Sequence, residues 1–430
     1  MKKTQKLQGE VFAPSSKSYT QRMVIAASLS AGHSEIRYPL LAQDTEATLR
    51  AVSAFGAKVQ LDEKFCWVIE GTESLRAPRE PIDCGESGAT LRFMIPIAAL
   101  ARGDSILLFR GSLKRRPVAP LLLALETLGV KTRVGSYGGV DAVFVQGNDG
   151  GGIAGGETAI AGDISSQFIS GLMFACPWAG SDTKIKLTSP LESRDYVEMT
   201  RAVLANHGVT VELAENSILV PGGQSYKATD ERVPGDFSSA AFLLAASAIT
   251  HAQIRVKNLD YFGAQGDRAI LEVLKEMGVE SKIDSGSVAI YSQGDSLEPI
   301  DIDARNIPDL VPVIAALACY AKGTSNIWGA KRLRLKESDR LQAVYVELSK
   351  MGAEICLTED GLTITGTPLH GAVIDSHNDH RIAMATSVAA LGAEGQTIIQ
   401  NAECIRKSYP QFFIHLTQLG ADIVGGKLDR

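Results

Sequence analysis

One short pattern recurs six times along the chain and restricts the architectures open to it. It reads Ala54-Phe55-Gly56-Ala57-Lys58-Val59, Thr127-Leu128-Gly129-Val130-Lys131-Thr132 and Asn206-His207-Gly208-Val209-Thr210-Val211. It returns as Glu276-Met277-Gly278-Val279, Lys350-Met351-Gly352-Ala353-Glu354-Ile355 and Gln418-Leu419-Gly420-Ala421-Asp422-Ile423. Successive glycines are 73, 79, 70, 74 and 68 residues apart. Before each glycine lie apolar residues at helical spacing, such as Val118, Leu121, Leu122, Leu125 and Leu128. After it comes the alternation of a strand, as in Ala353, Ile355 and Leu357. A glycine at such a junction supplies the left-handed residue that closes a helix. A single junction of this kind is common in any α/β protein, but six at near-equal spacing describe a repeated helix–strand module. Three modules per half give two similar halves, with a boundary at residues 233–235.

Length supports that division, because 430 residues exceed one ordinary core. An apolar content of 45% with 21% charged residues is that of a globular protein able to bury its cores. The formal net charge of −6 argues against a general affinity for nucleic acid or membrane surfaces, both polyanions. If the ligands are anions, the cations that meet them must be gathered locally. Residues 1–10 are polar with no apolar stretch behind them, so no secretory signal is expected, and no run of 18 apolar residues occurs. The six cysteines lie far apart without a C-x-x-C pair, which fits reduced, buried thiols in a cytoplasm better than disulfides or zinc.

Several short segments have the residue types that hold anions. Ser15-Ser16-Lys17-Ser18-Tyr19-Thr20-Gln21-Arg22 places two cations near the start of a helix, where free N–H groups and the dipole also favour negative charge. In Cys84-Gly85-Glu86-Ser87-Gly88-Ala89-Thr90-Leu91-Arg92, small residues before an apolar helix allow backbone to approach a ligand. Lys114-Arg115-Arg116-Pro117 is a cation run stopped by proline. Ser165-Ser166-Gln167-Phe168 and Ser193-Arg194-Asp195-Tyr196 offer hydroxyls and an amide at helix starts. Further on, Ile307-Pro308-Asp309-Leu310 sets a carboxylate before an apolar helix. Leu335-Lys336-Glu337-Ser338-Asp339-Arg340-Leu341 packs four charges into five residues, with Lys336 and Arg340 at helical i,i+4 spacing. Asn378-Asp379-His380-Arg381 and Lys407-Ser408-Tyr409-Pro410 add two more cations. Taken singly, each cluster reads more readily as a helix cap or a solvated charged face than as a site.

Taken in order and spacing, the series resembles the enolpyruvylshikimate-phosphate synthase family over residues 14–412, with LKESDRL followed by NDHR as its most specific part. The resemblance implies the enolpyruvyl transferase fold, an inside-out α/β barrel arrangement of two domains, each of three repeated helix/strand units. It divides the chain into residues 1–13 plus 235–430, with the catalytic carboxylates and part of the phosphoenolpyruvate site, and residues 14–234, with the shikimate 3-phosphate site. It implies transfer of an enolpyruvyl group from phosphoenolpyruvate to the 5-hydroxyl of shikimate 3-phosphate, through a tetrahedral ketal, by two domains that close on the ligands.

On matched positions, Lys17, Ser18, Arg22, Ser165, Ser166, Gln167, Ser193, Tyr196, Asp309 and Lys336 would meet shikimate 3-phosphate. Lys17, Gly88, Arg116, Gln167, Arg340, Arg381 and Lys407 would meet phosphoenolpyruvate. Asp309 would serve as base, Glu337 as acid and Lys17 as the group that steadies developing charge. The resemblance implies no metal, no organic cofactor, no nucleic-acid or membrane partner, and a cytoplasmic monomer. It also implies competition by glyphosate, an analogue of phosphoenolpyruvate, beside Gly88. Three positions depart from the common pattern: Ala89 for threonine, Phe93 for proline and Arg332 for a substrate-contacting asparagine. A related transferase acting on UDP-N-acetylglucosamine usually has Lys-Asn where Lys17-Ser18 stand, and a cysteine in the loop that is residues 111–118 here. A non-catalytic binding protein on the same scaffold would be expected to lack Asp309, Glu337 or Lys17.

Overall fold

The computed structural model describes residues 1–4, 6–62, 65–147, 152–292 and 296–425. The chain falls into two compact units, Met1–Ser16 with Pro234–Arg430, and Lys17–Val233. The helices of the second are α1 (Lys17–Ser28), α2 (Gln43–Ala54), α3 (Gly88–Ala98), α4 (Ala119–Thr127), α5 (Ser166–Ala175) and α6 (Arg194–Asn206). Those of the first are α7 (Phe237–Ile249), α8 (Ile270–Glu276), α9 (Val311–Ala318), α10 (Arg340–Lys350), α11 (His380–Ala390) and α12 (Phe412–Gln418).

The modules repeat at the level of strand pairing. Gly156–Ile160 runs parallel to Thr183–Leu187, which pairs antiparallel with Ser217–Val220, itself antiparallel to Glu212–Leu213. The same parallel–antiparallel–antiparallel order joins Ile82–Asp83, Ser105–Phe109, Val140–Val145 and Thr132–Tyr137. It recurs in Asp301–Asp303, Thr324–Trp328, Leu362–Thr365 and Glu354–Leu357. In the unit that contains the amino terminus, Gln8–Phe12 supplies the parallel strand to Gln253–Lys257.

Two kinds of helix alternate. α3, α7, α9 and α11 are buried along their whole length, and sequences such as Val311-Pro-Val-Ile-Ala-Ala-Leu-Ala explain why: a helix apolar all round has no face to give to water. α7, α9 and α11 pack on one another in the core of their unit, and α3 packs on α5 in the other. α2, α6 and α10 bury one stripe and keep the opposite face polar. These are helices that run into the repeat glycines.

All six repeat glycines are left-handed, with φ of +116° at Gly56, +89° at Gly129, +75° at Gly208, +84° at Gly278, +91° at Gly352 and +106° at Gly420. Five lead into strands, but residues 421–425 form none, against expectation. There the carbonyls of Leu419 and Asp422 instead accept from the Gln8 and Lys2 N–H groups of the amino-terminal segment. Five of the cysteines are buried, and Cys356 is exposed, a correction to the expectation of six buried thiols. It lies on Glu354–Leu357, where the period of two turns alternate residues outward. Among the described residues, no helix is long and apolar enough to cross a membrane.

Candidate active site

Many of the motif residues lie at or just before the amino-terminal ends of helices. In Lys17–Val233, Lys17 opens α1 and its Nζ donates to Asp44 Oδ2 of α2 at 2.9 Å. Arg22, one turn on, is buried. Its Nη1 donates to Ser18 O (3.0 Å), Nε to Thr200 Oγ1 (2.8 Å) and Nη2 to Tyr196 O (3.2 Å). Its guanidinium also lies against the Phe93 ring, 5.1 Å from the centroid. Burial lowers its pKa to about 10, so it stays charged at neutral pH. Phe93, one of the departures, thus fills space between Arg22 and Phe174, whose ring it meets edge-on at 5.6 Å.

α3 begins at Gly88 because Ser87 caps it, accepting from Thr90 N at 3.3 Å. Gln21 Nε2 donates to Thr48 Oγ1 (2.8 Å), Ser87 Oγ (3.3 Å) and Thr90 Oγ1 (3.3 Å), tying α1, α2 and α3 together through a buried network. Of the Lys114-Arg115-Arg116 run, the first two side chains are exposed and only Arg116 is buried. Its guanidinium packs directly on Gly88, where an added Cβ would sit 2.9 Å from Nη1 and Nη2. At the start of α5, Ser165 caps by accepting from Gln167 N at 3.3 Å, and Ser166 is buried. Arg92 Nη1 donates to Gln167 Oε1 at 2.7 Å. Ser193 precedes α6 in a left-handed conformation, φ +52°.

The other unit holds the carboxylates. Arg340, fully buried, is their hub: Nη1 donates to Asp309 Oδ1 (2.8 Å), Nη2 to Glu337 Oε2 (2.6 Å) and Nε to Asp379 Oδ2 (2.8 Å). Asp379 caps α11, accepting from Arg381 N at 2.9 Å. Arg381 Nη2 donates to Ser238 Oγ of α7 at 2.6 Å and lies 3.3 Å from Asp309 Oδ2. Lys407 Nζ donates to Asn378 O at 2.9 Å. Lys336 Nζ is 3.5 Å from Asp309 Oδ1. It is not on the helix that the i,i+4 spacing predicts, since α10 starts only at Arg340, where Asp339 caps it. Lys336 instead closes the short 3-10 turn Lys331–Leu335 in extended conformation.

Burial would push Asp309 up, but Arg381, Lys336 and Arg340 outweigh it and hold this carboxyl well below its usual range. Burial lowers Lys336 to about 8, with Asp309 opposing and Arg340 and Arg332 assisting. Arg340 is raised, since its three carboxylates overcome the effect of burial. The third departure, Arg332, donates from Nη2 to Arg305 O at 2.7 Å.

Sequence reasoning passed over Asp44 and Asp267, and it assigned no site role to Arg92 or to Ser238, whose segment, residues 234–240, reads as a structural helix start. Asp267 is buried beside the same cluster, and burial together with Asp309 raises it to about 6 against Arg381. No local pattern distinguishes these residues from other caps and surface acids. Among the described residues, no group of three or more His, Cys, Asp or Glu side chains could hold a metal ion.

Five modules of this topology and a shortened sixth, with cations and hydroxyls collected at helix starts, are suited to binding small, multiply anionic molecules. The comparisons give that class a family. Residues 1–416 match the model for EPSP synthase (3-phosphoshikimate 1-carboxyvinyltransferase). A 3-phosphoshikimate 1-carboxyvinyltransferase of Methanocaldococcus jannaschii is 43% identical over 426 residues, covering 98% of each chain. One of Methanosarcina mazei is 43% identical over 429 residues, covering 97% of this chain and 96% of the other. The solved EPSP synthase of Acinetobacter baumannii superposes with a TM-score of 0.82 at 27% identity, over 98% of this chain and 97% of that one. The chain belongs to the EPSP synthase family.

Proposed function

We propose that the chain catalyses the reaction named by its family, transfer of the enolpyruvyl group of phosphoenolpyruvate to the 5-hydroxyl of shikimate 3-phosphate, on the residues of the two motif clusters. The observation that carries the residue assignment is the Arg340 hub, which sets Asp309 and Glu337 on one buried guanidinium. Lys17, Ser18, Arg22, Ser165, Ser166, Gln167, Ser193 and Tyr196 hold shikimate 3-phosphate, with Asp309 and Lys336. Lys17, Gly88, Arg116, Gln167, Arg340, Arg381 and Lys407 hold phosphoenolpyruvate. Charge-assisted hydrogen bonds of about 1.5–3 kcal/mol each outweigh a helix end at about 0.3–1 kcal/mol, so binding rests chiefly on the cationic side chains.

The 5-oxygen adds to C2 of phosphoenolpyruvate while C3 gains a proton, giving a tetrahedral ketal with a methyl group. Loss of a methyl proton and of phosphate from C2 then leaves the enol ether and inorganic phosphate. Asp309 is ionised, the form required to accept the hydroxyl proton. As Lys336 and Arg381 turn to the ligand anions, two of the cations that depress its proton affinity are withdrawn. Glu337 delivers and retrieves the proton at C3, and Lys17 balances negative charge as it develops.

The same reading, on the strength of the resemblance, makes the enzyme a cytoplasmic monomer without nucleic-acid or membrane partners. A coupled phosphate-release assay tests the reaction. Release should require both substrates and should not occur when UDP-N-acetylglucosamine replaces shikimate 3-phosphate; no release with the named pair would overturn it.

A further inference from the structure

Just before α11 the chain turns through two successive left-handed residues that are not glycine, His377 and Asn378, each with φ +53°. Such conformations are strained, and they persist only where surrounding groups over-determine them. The turn is heavily used. Its Asn378 carbonyl accepts from Lys407 Nζ at 2.9 Å, and the next residue, Asp379, both caps α11 and accepts from Arg340.

What fixes the turn lies outside the cluster. Glu347 of α10 has a side chain only 1% exposed, and it reaches residues 375–377. Its Oε2 accepts from Asp375 N at 3.0 Å, and its Oε1 pairs with His377 Nε2 at 2.7 Å. Lys350 Nζ donates to both oxygens, at 2.9 and 2.7 Å. Within the turn, His377 N donates to Asp375 Oδ1 at 2.8 Å and Ser376 Oγ donates to Asn401 O at 3.1 Å. A buried carboxylate that served stability alone could pair with Lys350 and stop there. This one also grips the Asp375 N–H and the His377 ring, one on either side of Ser376, and His377 itself starts the strained pair.

We propose that Glu347 and His377 are positioning residues for phosphoenolpyruvate: they hold the turn so that Asn378 aims Lys407 and Asp379 aims Arg340 and Arg381. The inference rests on the proposed function, in which those three cations take phosphoenolpyruvate. Its effect falls first on phosphoenolpyruvate, because Lys336 and the shikimate 3-phosphate groups of Lys17–Val233 hang from other elements, and of that set only Asp309 touches Arg340 and Arg381.

Steady-state kinetics with each substrate varied test it on the unmodified enzyme, Glu347→Gln, His377→Phe and His377→Gln. Glu347→Gln and His377→Phe should each raise KM for phosphoenolpyruvate by about tenfold, the scale on which loss of an outer-shell partner acts, and leave KM for shikimate 3-phosphate within about twofold. His377→Gln keeps an N–H donor toward Glu347 and should restore most of the lost affinity. The proposal is overturned if KM for phosphoenolpyruvate is unchanged in both variants, or if both KM values rise together as the thermal midpoint falls. Should Glu347→Gln not fold, His377→Phe decides, since that ring is partly exposed and its replacement leaves the core intact. An unmodified enzyme inactive on the named pair refutes the reaction itself, an outcome separate from any difference between variants.

Discussion

Arg340 donates to Glu337 across 2.6 Å, so the direction of the Glu337 carboxyl is set by a buried cation rather than by solvent. The contact also binds a chemical group to the residue that orients Asp309, which makes the acid and the base neighbours on one guanidinium. Changing the acid without disturbing the hub is therefore possible with an isosteric amide.

Glu337→Gln keeps an oxygen for Arg340 but has no proton of suitable acidity for C3. Turnover should fall by a factor of about 10² or more, the scale of one positioned acid or base, while shikimate 3-phosphate binding stays close to normal. Rapid-quench turnover with calorimetric titration of shikimate 3-phosphate checks this. Near-normal turnover would remove Glu337 from the mechanism.

Lys336, lowered to about 8, gives a pH dependence whose sign can be worked out. Below that value it is cationic and attracts an anionic ligand. Above it the free enzyme must take up a proton to bind, so shikimate 3-phosphate affinity should fall by up to about tenfold per pH unit. Stability moves the other way on this account: between about 8 and the ordinary 10.5 the unfolded chain holds more protons, so folding gains as pH rises. Lys336→Arg should flatten the affinity curve between pH 7 and 10. An unmodified enzyme with affinity constant over that range would rule the titration out.

At Gly88 the added methyl of Gly88→Ala meets the Arg116 guanidinium rather than empty space, at 2.9 Å. Arg116 is the far end of a long side chain and can give way by a few tenths of an ångström. The room lost should matter most to the longer ligand. Glyphosate is expected to compete with phosphoenolpyruvate in the unmodified enzyme, and the alanine variant to weaken glyphosate far more than it raises KM for phosphoenolpyruvate. Equal loss for both ligands would mean that Arg116, and not pocket length, governs the effect.

The repeat glycines permit a test of backbone strain in isolation. At Gly129 a Cβ would meet nothing within 4 Å, so Gly129→Ala changes only the left-handed residue at φ +89°. It should destabilise its unit by about 1–2 kcal/mol, and Gly129→Asn by less, because asparagine tolerates that conformation. Urea unfolding measures both, and an alanine variant as stable as the unmodified protein would contradict the account.

The repeat was legible because two separate demands, an amphipathic helix and a left-handed terminator, fall on neighbouring residues at a fixed period. The same logic misled at the sixth junction: Ala421 and Ile423 alternate like a strand, but a partner from the far end of the chain takes the carbonyls there. Lys336 misled for a related reason, since charge spacing describes a helix only where a helix has begun, and Asp339 begins it later. Of the site's anchors, Ser238 reads as an ordinary structural helix start, and Glu347 carries no local signal at all. Arg381 finds Ser238 across a separation of 143 residues, and Glu347 meets its turn only once α10 and α11 have packed.

The strand Gln8–Phe12 pairs in parallel with Gln253–Lys257. Order of synthesis therefore differs from order of assembly. Lys17–Val233 is one continuous stretch, and it can complete its core while the ribosome is still making residues 234–430. The first strand cannot, because its partner emerges roughly 10–50 s later at about 5–20 residues per second. For that interval it is an unpaired edge tethered to a finished neighbour, so the opening residues are where a nascent-chain chaperone would have most to protect, and the unit that begins first is the one that finishes last.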